Sequence, residues 1–427
     1  MKILQIANND FFSTYGGGQV YVKNLVDEMI NQDMDIVVFS KNNKIEKHQI
    51  IERKYKNIFL YEYSTLDLVL LKDKIRQLAP DILHIHADKA FFSEICNELS
   101  IPCVITAHHG GITCPAGTLL NCKDEICRVA ASQKNCLPCV LKGIKTGYLF
   151  YPVLKKLPVS LRLSIGRFLK KMPFMYFVTP IGMSSLFIEY KQKDWISICR
   201  NVDLMIAPSY AIAENMALNG LNAGKIEIVP HGIPVNSTKN NIFDPSVHNR
   251  GLKFFYLGRI AHIKGIHILL KAFTGLNSSE CELHLIGDNQ GKYERGLMKK
   301  YARHKNIFFH GKISPEIVNS KIREYDVLVH PAIYVEVFGL NISEALAEGK
   351  PVIATRCGGA EMQIQEGKNG LLVSPDNEKE LLDAMNWVIS HPEDVRRMSE
   401  EAPTGVISMQ KHVETIGENY NKVLKKK

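Results

Sequence analysis

Short apolar runs recur along this chain, each followed by a segment with helical apolar spacing, and this alternation constrains the fold more than any other feature. Ile3–Ala7 reads as a strand, and Val22, Leu25, Val26, Met29 and Ile30 mark one face of the helix after it. Asp35–Ser40, Ile82–Ile85, Cys103–Thr106, Asp203–Ala207 and Ile226–Val229 read as further buried strands. Strands separated by helices imply a parallel sheet covered on both faces. The pattern then restarts. Leu252–Leu257, Glu282–Ile286, Ile307–Phe309, Val327–Val329 and Val352–Ala354 read as strands of a second doubly wound unit, after a polar linker at Pro234–Arg250. A length of 427 residues also exceeds what one ordinary core accommodates. The expected fold class is therefore α/β, with Rossmann-like domains over residues 1–235 and 250–404. A last helical segment, residues 405–427, is long enough to cross back onto the first domain.

The net charge of +9 points to an anionic partner, for which a nucleotide cosubstrate, an acidic membrane surface and nucleic acid all qualify. The opening MKILQIANND has a five-residue apolar run, too short for a secretory h-region, so a cytoplasmic chain is expected. Met172–Ile188 is the longest uncharged stretch, but two prolines and a glycine break it, and it falls short of a membrane span.

Three places carry chemistry. Gly16, Gly17 and Gly18 follow the first strand and open a helix, where bare backbone can approach a phosphate. Tyr21 stands where a third glycine would complete a dinucleotide fingerprint, so that motif is absent. A plain tight turn explains the triplet equally well. In the second half, Gly258-Arg259 and Lys264-Gly265 place two cations past the end of a strand, where open α/β sheets bind ligands. Arg can fork onto a diphosphate and Lys act as a point charge. In Glu336-Val-Phe-Gly-Leu-Asn-Ile-Ser-Glu344, both carboxylates can accept from paired sugar hydroxyls, one from a hexose and the other from a ribose. Phe338, Gly339 and Leu340 lie at the expected turn, where the amides of Gly339, Leu340 and Asn341 would face a phosphate. Glu344 is expected in the first turn of the following helix.

Together these segments resemble the family-4 retaining glycosyltransferases of GT-B fold. EVFGLNISEALAEGKPVIATRCGGAEM is similar to their E-x7-E signature, and GRIAHIKG to their Arg/Lys diphosphate motif. PDILHIH, VPHGI and YDVLVHP agree as well, and the likeness spans nearly all of the chain except about residues 143–198. It implies two Rossmann-like domains facing a cleft, the first on the acceptor side and the second binding the nucleotide-sugar. It also implies that Glu336 contacts the transferred sugar and Glu344 the donor ribose. Arg259 and Lys264 would neutralise the diphosphate, and Gly17, with Gly16, would approach it across the cleft. His108 matches a histidine that reaches toward the donor sugar, and Lys312 a loop whose backbone reads the nucleobase. Many relatives carry Asp where this chain has His109. The resemblance implies a nucleotide-diphosphate-sugar as donor substrate and no metal or other cofactor for the chemistry. The acceptor is expected to be a lipid-linked glycan in polysaccharide or glycoconjugate assembly. The rival readings are a soluble transferase for a small acceptor and a membrane-bound relative without turnover. Base, sugar and linkage are not written in the sequence.

Two features fall outside that pattern. Lys142, Lys145, Lys155, Lys156, Arg162, Arg167, Lys170 and Lys171 occupy a stretch without Asp or Glu, interleaved with Tyr148, Leu149, Phe150, Tyr151, Leu161, Ile165, Phe168 and Leu169. Such a stretch suits peripheral contact with anionic lipid at the inner face of the cell membrane; a solvated charged insertion is the plainer reading. Nucleic acid is not expected, because the cations are confined to this insertion and no nucleic-acid motif accompanies them. Cys114, Cys122, Cys127, Cys136 and Cys139 crowd one loop, and four of them, Cys122, Cys127, Cys136 and Cys139, offer a structural zinc set; a reduced loop is the alternative.

Overall fold

The computed structural model describes residues 1–7, 11–12, 16–171, 179–235, 242–244, 251–278, 280–287 and 291–426. The chain forms two compact units: Met1–Pro230 together with His412–Lys427, and His231–Lys411. The first passage between them lies at Pro230/His231, just ahead of the stretch read as a linker. The second lies within the helix Met409–Lys425.

The first unit carries β1 (Lys2–Ile6), β2 (Asp35–Lys41), β3 (Ile50–Tyr55), β4 (Ile58–Tyr63), β5 (Ile82–Ile85), β6 (Cys103–Thr106), β7 (Leu204–Ala207) and β8 (Ile226–Ile228). They form one sheet in the order β3-β4-β2-β1-β5-β6-β7-β8, parallel throughout except at β3. β3 and β4 were not anticipated. Glu52, Arg53 and Lys54 are exposed on β3, the edge strand, so it lacks the apolar run that marks a buried strand. At the centre, Ile3, Leu4, Ile6, Leu83, Ile85, Val104 and Ile105 have no exposed surface, as expected for strands covered on both faces.

The second unit carries β9 (Lys253–Leu257), β10 (Glu282–Ile286), β11 (Ile307–Gly311), β12 (Val327–His330), β13 (Val352–Thr355) and β14 (Gly370–Val373), all parallel, in the order β11-β10-β9-β12-β13-β14. Separate apolar cores cover it: Phe254, Tyr256, Leu269 and Leu283 belong to one, and Phe255, Leu328, Ile342 and Ala354 to the other. Two doubly wound parallel-sheet units of this kind are the GT-B fold.

The basic insertion of the first unit is helical, with segments at Gln133–Lys142, Tyr151–Leu154, Val159–Lys170 and Ser184–Asn201. Leu137, Leu141, Ile181 and Ile188 form its small core. Its charge differs from the sequence reading. Arg162 is buried, Lys142 pairs with Asp124 at 2.6 Å, and Arg167 lies 3.5 Å from Glu189, both acids coming from outside the stretch. Lys145, Lys155, Lys156, Lys170 and Lys171 stay exposed, as do Leu149, Phe150, Val153 and Phe168. Among the described residues no helix is long and apolar enough to cross a membrane.

Candidate active site

The expected site residues divide between the units. Arg259, Lys264, Lys312, Glu336, Phe338, Gly339, Leu340 and Glu344 belong to the second, and Gly16, Gly17 and His108 to the first.

In the second unit β9 ends at Leu257, and the chain turns through Gly258 and Arg259 into a short 3-10 turn, His262–Lys264. The Tyr256 hydroxyl donates to the Arg259 carbonyl at 2.7 Å, tying the loop to the strand while the guanidinium stays exposed. Gly265 follows with φ +71°, and a Cβ there would lie 1.8 Å from the carbonyl oxygen of Pro331. Only glycine allows this approach, which lays the Lys264 turn against the loop leaving β12. The Ile333 amide donates to Ile263 O at 3.0 Å across the same seam.

That contact brings two predicted residues together. Lys264 Nζ donates to Glu336 Oε2 at 2.5 Å, with both side chains largely buried. The Tyr334 hydroxyl donates to the same oxygen at 2.9 Å, and His330 Nε2 lies 3.4 Å from it. Burial by itself would raise the Glu336 carboxyl. The ammonium of Lys264, with the His330 ring close by, outweighs it and holds the group well below the usual carboxylate range. Burial would likewise lower the Lys264 ammonium, and the Glu336 charge reverses this and raises it. Neither His330 nor Tyr334 was assigned a role from the sequence. The YDVLVHP segment holds the histidine in plain view, but a lone His at a strand end reads as core.

Glu336 is fixed through its backbone, its amide donating to Cys357 O and its carbonyl accepting from Gly359 N, each at 2.9 Å. Gly339, with φ +87°, caps the helix Leu340–Ala347, and Asn341 Nδ2 donates to Leu257 O at 2.8 Å, joining that helix to the end of β9. Phe338 is buried, its ring edge-on to His231 at 5.4 Å. Glu344 lies past the first turn, where the sequence had placed it, because the helix begins at Leu340. It is half-buried, and burial, with no neighbouring charge contributing, pushes its carboxyl up to about 7. Lys312 is exposed, one residue beyond β11.

In the first unit the helix Gly17–Asn31 starts inside the glycine triplet, with Gly16 as its N-cap. Gly16, Gly18, His86, His108, His109 and Lys191 are among the residues lining a pocket of about 680 Å³ beyond the C-terminal ends of β1, β5 and β6, the edge where doubly wound sheets bind ligands.

The candidate zinc set from the sequence is Cys122, Cys127, Cys136 and Cys139. Among the described residues no group of three or more His, Cys, Asp or Glu is placed to hold a metal ion. Cys136 and Cys139 ride a regular helix, where the Cys139 thiol turns back to the Asn135 carbonyl. Burial, with the nearby thiols of Cys114, Cys122 and Cys127 adding to it, pushes the Cys136 and Cys139 thiols up to about 11 and 12.

Comparison with known proteins agrees with the layout. The model for "Glycosyl transferases group 1" matches residues 237–405, and that for "Glycosyltransferase Family 4" matches residues 15–120. The chain is 30% identical over 158 residues to a D-inositol 3-phosphate glycosyltransferase of Corynebacterium urealyticum, covering 35% of this chain and 37% of that protein. It is 26% identical over 151 residues to the D-rhamnosyltransferase WbpZ of Pseudomonas aeruginosa, covering 35% and 39%. The chain thus spans well under half the length of these curated relatives. Among solved structures, Anabaena HepE in complex with UDP superposes with a TM-score of 0.66 over 99% of this chain and 100% of that one, at 17% identity.

Proposed function

We propose that this protein is a retaining glycosyltransferase that moves a sugar from a nucleoside-diphosphate sugar to a lipid-linked glycan acceptor. The observation that carries this reading is the buried Lys264–Glu336 pair beside Arg259, at the strand edge where the second sheet would bind a ligand. As the bond from the sugar's anomeric carbon to the diphosphate breaks, negative charge gathers on the leaving group. Fixed cations and the amides at Gly339–Asn341 then stabilise it without reorganising. The acceptor hydroxyl forms the new bond to the anomeric carbon and passes its proton to the departing phosphate oxygen on the same face, which retains configuration. Glu336, an ionised acceptor with Lys264, Tyr334 and His330 around one oxygen, is suited to hydroxyls of a sugar gaining cationic character. Glu344 takes the ribose, and the loop at Lys312 takes the base. Gly16, Gly17 and His108 are the first unit's contribution.

UDP bound to a structural neighbour and the glycosyltransferase relatives support a nucleotide-sugar donor. Five exposed lysines beside Leu149, Phe150, Val153 and Phe168 support peripheral docking on anionic lipid, where a lipid-linked acceptor resides. Thermal shift with UDP-, GDP- and ADP-sugars tests the reading, because a bound donor stabilises by mass action. One nucleotide series should raise Tm, and Lys264→Met should abolish the rise.

A further inference from the structure

Every cation of the basic stretch 142–171 faces water except Arg162. The helix Val159–Lys170 turns Arg162, Gly166 and Leu169 inward on one face, and Arg162 is only 6% exposed. Gly166 shows how close that face lies to its neighbour: a Cβ there would stand 3.0 Å from Leu186 Cβ and 3.3 Å from the Gly182 carbonyl oxygen. A guanidinium thus occupies a position that helical periodicity gives to a core residue. It brings no counterion with it. Arg162 Nε and Nη1 are buried and have no hydrogen-bond partner. Glu189, on the helix Ser184–Asn201 packed alongside, goes to Arg167 at 3.5 Å and to Lys193 at 3.1 Å. Burial, with no neighbouring charge contributing, pushes the guanidinium down from its ordinary value, yet an arginine keeps its proton at physiological pH. A buried charge left alone is costly, and an anion brought to it removes the cost.

The surroundings say which anion. Long side chains on a helix lean back toward its N-terminus, so Arg162 runs toward the first turn. Pro158 caps that turn without a side-chain hydrogen bond, and the turn contains no acid. First-turn amides have no partner within their own helix, and with the helix dipole they favour negative charge. Lys155 and Lys156 stand in the turn just before, both exposed. Around this polar spot the surface is apolar: Leu149, Phe150, Val153, Val159 and Leu161 are all exposed. A free ion gains nothing from such a rim. A phosphate carried on acyl chains does, because the rim enters the bilayer as the phosphate meets the cations.

We infer that Arg162, with Lys155, Lys156 and the N-terminal turn of this helix, forms a binding site for one phosphate group of a membrane lipid. The guanidinium forks onto two phosphate oxygens, and the lysines meet the remaining charge. The inference deepens the proposed docking on anionic lipid and rests on it for the bilayer. Exposed lysines give salt-sensitive attraction to any anionic surface, whereas a shielded guanidinium adds a preference for phosphate that salt screens much less.

Phosphatidylcholine vesicles doped with phosphatidic acid or with oleate, matched in surface potential, separate phosphate from charge. The full chain should bind the phosphatidic acid vesicles about tenfold tighter, the scale of one hydrogen bond to a charged group, and keep that preference at high salt. Arg162→Met removes the charge at similar volume. It should erase the preference, leave salt-sensitive binding to both vesicles, and raise the Tm of the lipid-free protein, because a buried unpaired charge is gone. Soluble dihexanoyl phosphatidic acid should raise the Tm of wild type but not of Arg162→Met, and inorganic phosphate at the same concentration should do far less. Lys155→Gln with Lys156→Gln leaves the buried face untouched and should weaken phosphatidic acid binding several-fold. Equal wild-type binding to the two vesicles, or an unchanged preference in Arg162→Met, overturns the site even where the lysines still hold the vesicles. A Tm rise from inorganic phosphate equal to that from the lipid overturns it as well. A wild type stabilised by dihexanoyl phosphatidic acid that sediments with no vesicle instead overturns the docking reading.

Discussion

Lys264 Nζ lies 2.5 Å from Glu336 Oε2 across 72 residues of sequence, and a glycine makes the approach possible. A pair this shielded is costly to halve, because either partner left alone is a charge with little water around it. The proposed function gives the same two groups the leaving diphosphate and the transferred sugar, so stability and turnover should be coupled here.

Glu336→Gln should therefore act twice. Leaving the Lys264 ammonium without its carboxylate should cost about 3–5 kcal/mol of stability, read by chemical denaturation. It should also lower kcat by about 10²-fold with a smaller effect on donor affinity, because its hydrogen bonds strengthen as the sugar becomes cationic. An unchanged kcat would remove Glu336 from the chemistry.

Lys264→Met should weaken donor binding and slow turnover together, since the diphosphate is charged when bound and charges further as it leaves. It also strands Glu336, whose carboxyl should then titrate upward toward or above its ordinary range. Acid titration followed by stability checks this: wild type gains from the ionised Glu336 above the unfolded carboxyl's pKa and loses that gain as pH falls through the depressed folded one. The variant should show no such loss.

Glu344 has the opposite sign. Its folded carboxyl is raised to about 7, so the empty protein holds a proton that the unfolded chain has already lost. Stability should fall as pH rises from the ordinary carboxylate range to about 7, and level off above. A ribose whose two hydroxyls donate to this group favours the ionised form, so donor binding should release a proton and tighten as pH rises toward 7. Calorimetry in buffers of different ionisation enthalpy measures the release, and Glu344→Gln should abolish it.

The exposed face of the basic insertion should sediment with vesicles containing phosphatidylglycerol and let go as salt rises. Replacing Lys155, Lys156, Lys170 and Lys171 by Glu should abolish binding, at about 1 kcal/mol per lysine near the surface, while donor hydrolysis in solution persists. Leu149→Ser with Phe150→Ser should weaken the part that salt does not reach. Binding to neutral vesicles alone, or none, would contradict the proposed docking on anionic lipid.

Much of this was legible in the amino acids because buried parallel strands are written as local apolar runs; β5, β6 and β10 have the bounds read from sequence. β3 escaped because its exposed Glu52, Arg53 and Lys54 suit an edge facing water. β14 escaped because Gly370 opens it and only Leu371, Leu372 and Val373 remain as an apolar signal. In the site, motif spacing pointed to Lys264 and Glu336 separately but could not show that they touch. That depends on Gly265 lying under Pro331, a contact between distant loops. The buried bond from Gln5 Nε2 to the Tyr420 hydroxyl, 3.0 Å, was illegible for the same reason: Gln5 reads as an interruption in an apolar strand, and its partner stands 415 positions away. The basic stretch misled in part, because acids from outside it, Asp124 and Glu189, neutralise two of its cations.

The most direct test of the account is release of nucleoside diphosphate from UDP-, GDP- and ADP-sugars by wild type and by Glu336→Gln and Lys264→Met, each first shown to be folded. The wild type should release it from one nucleotide series, and either variant about 10²-fold less. Release that both variants sustain at the wild-type rate, or none from any donor by the folded wild type with acceptor lipids present, would contradict it.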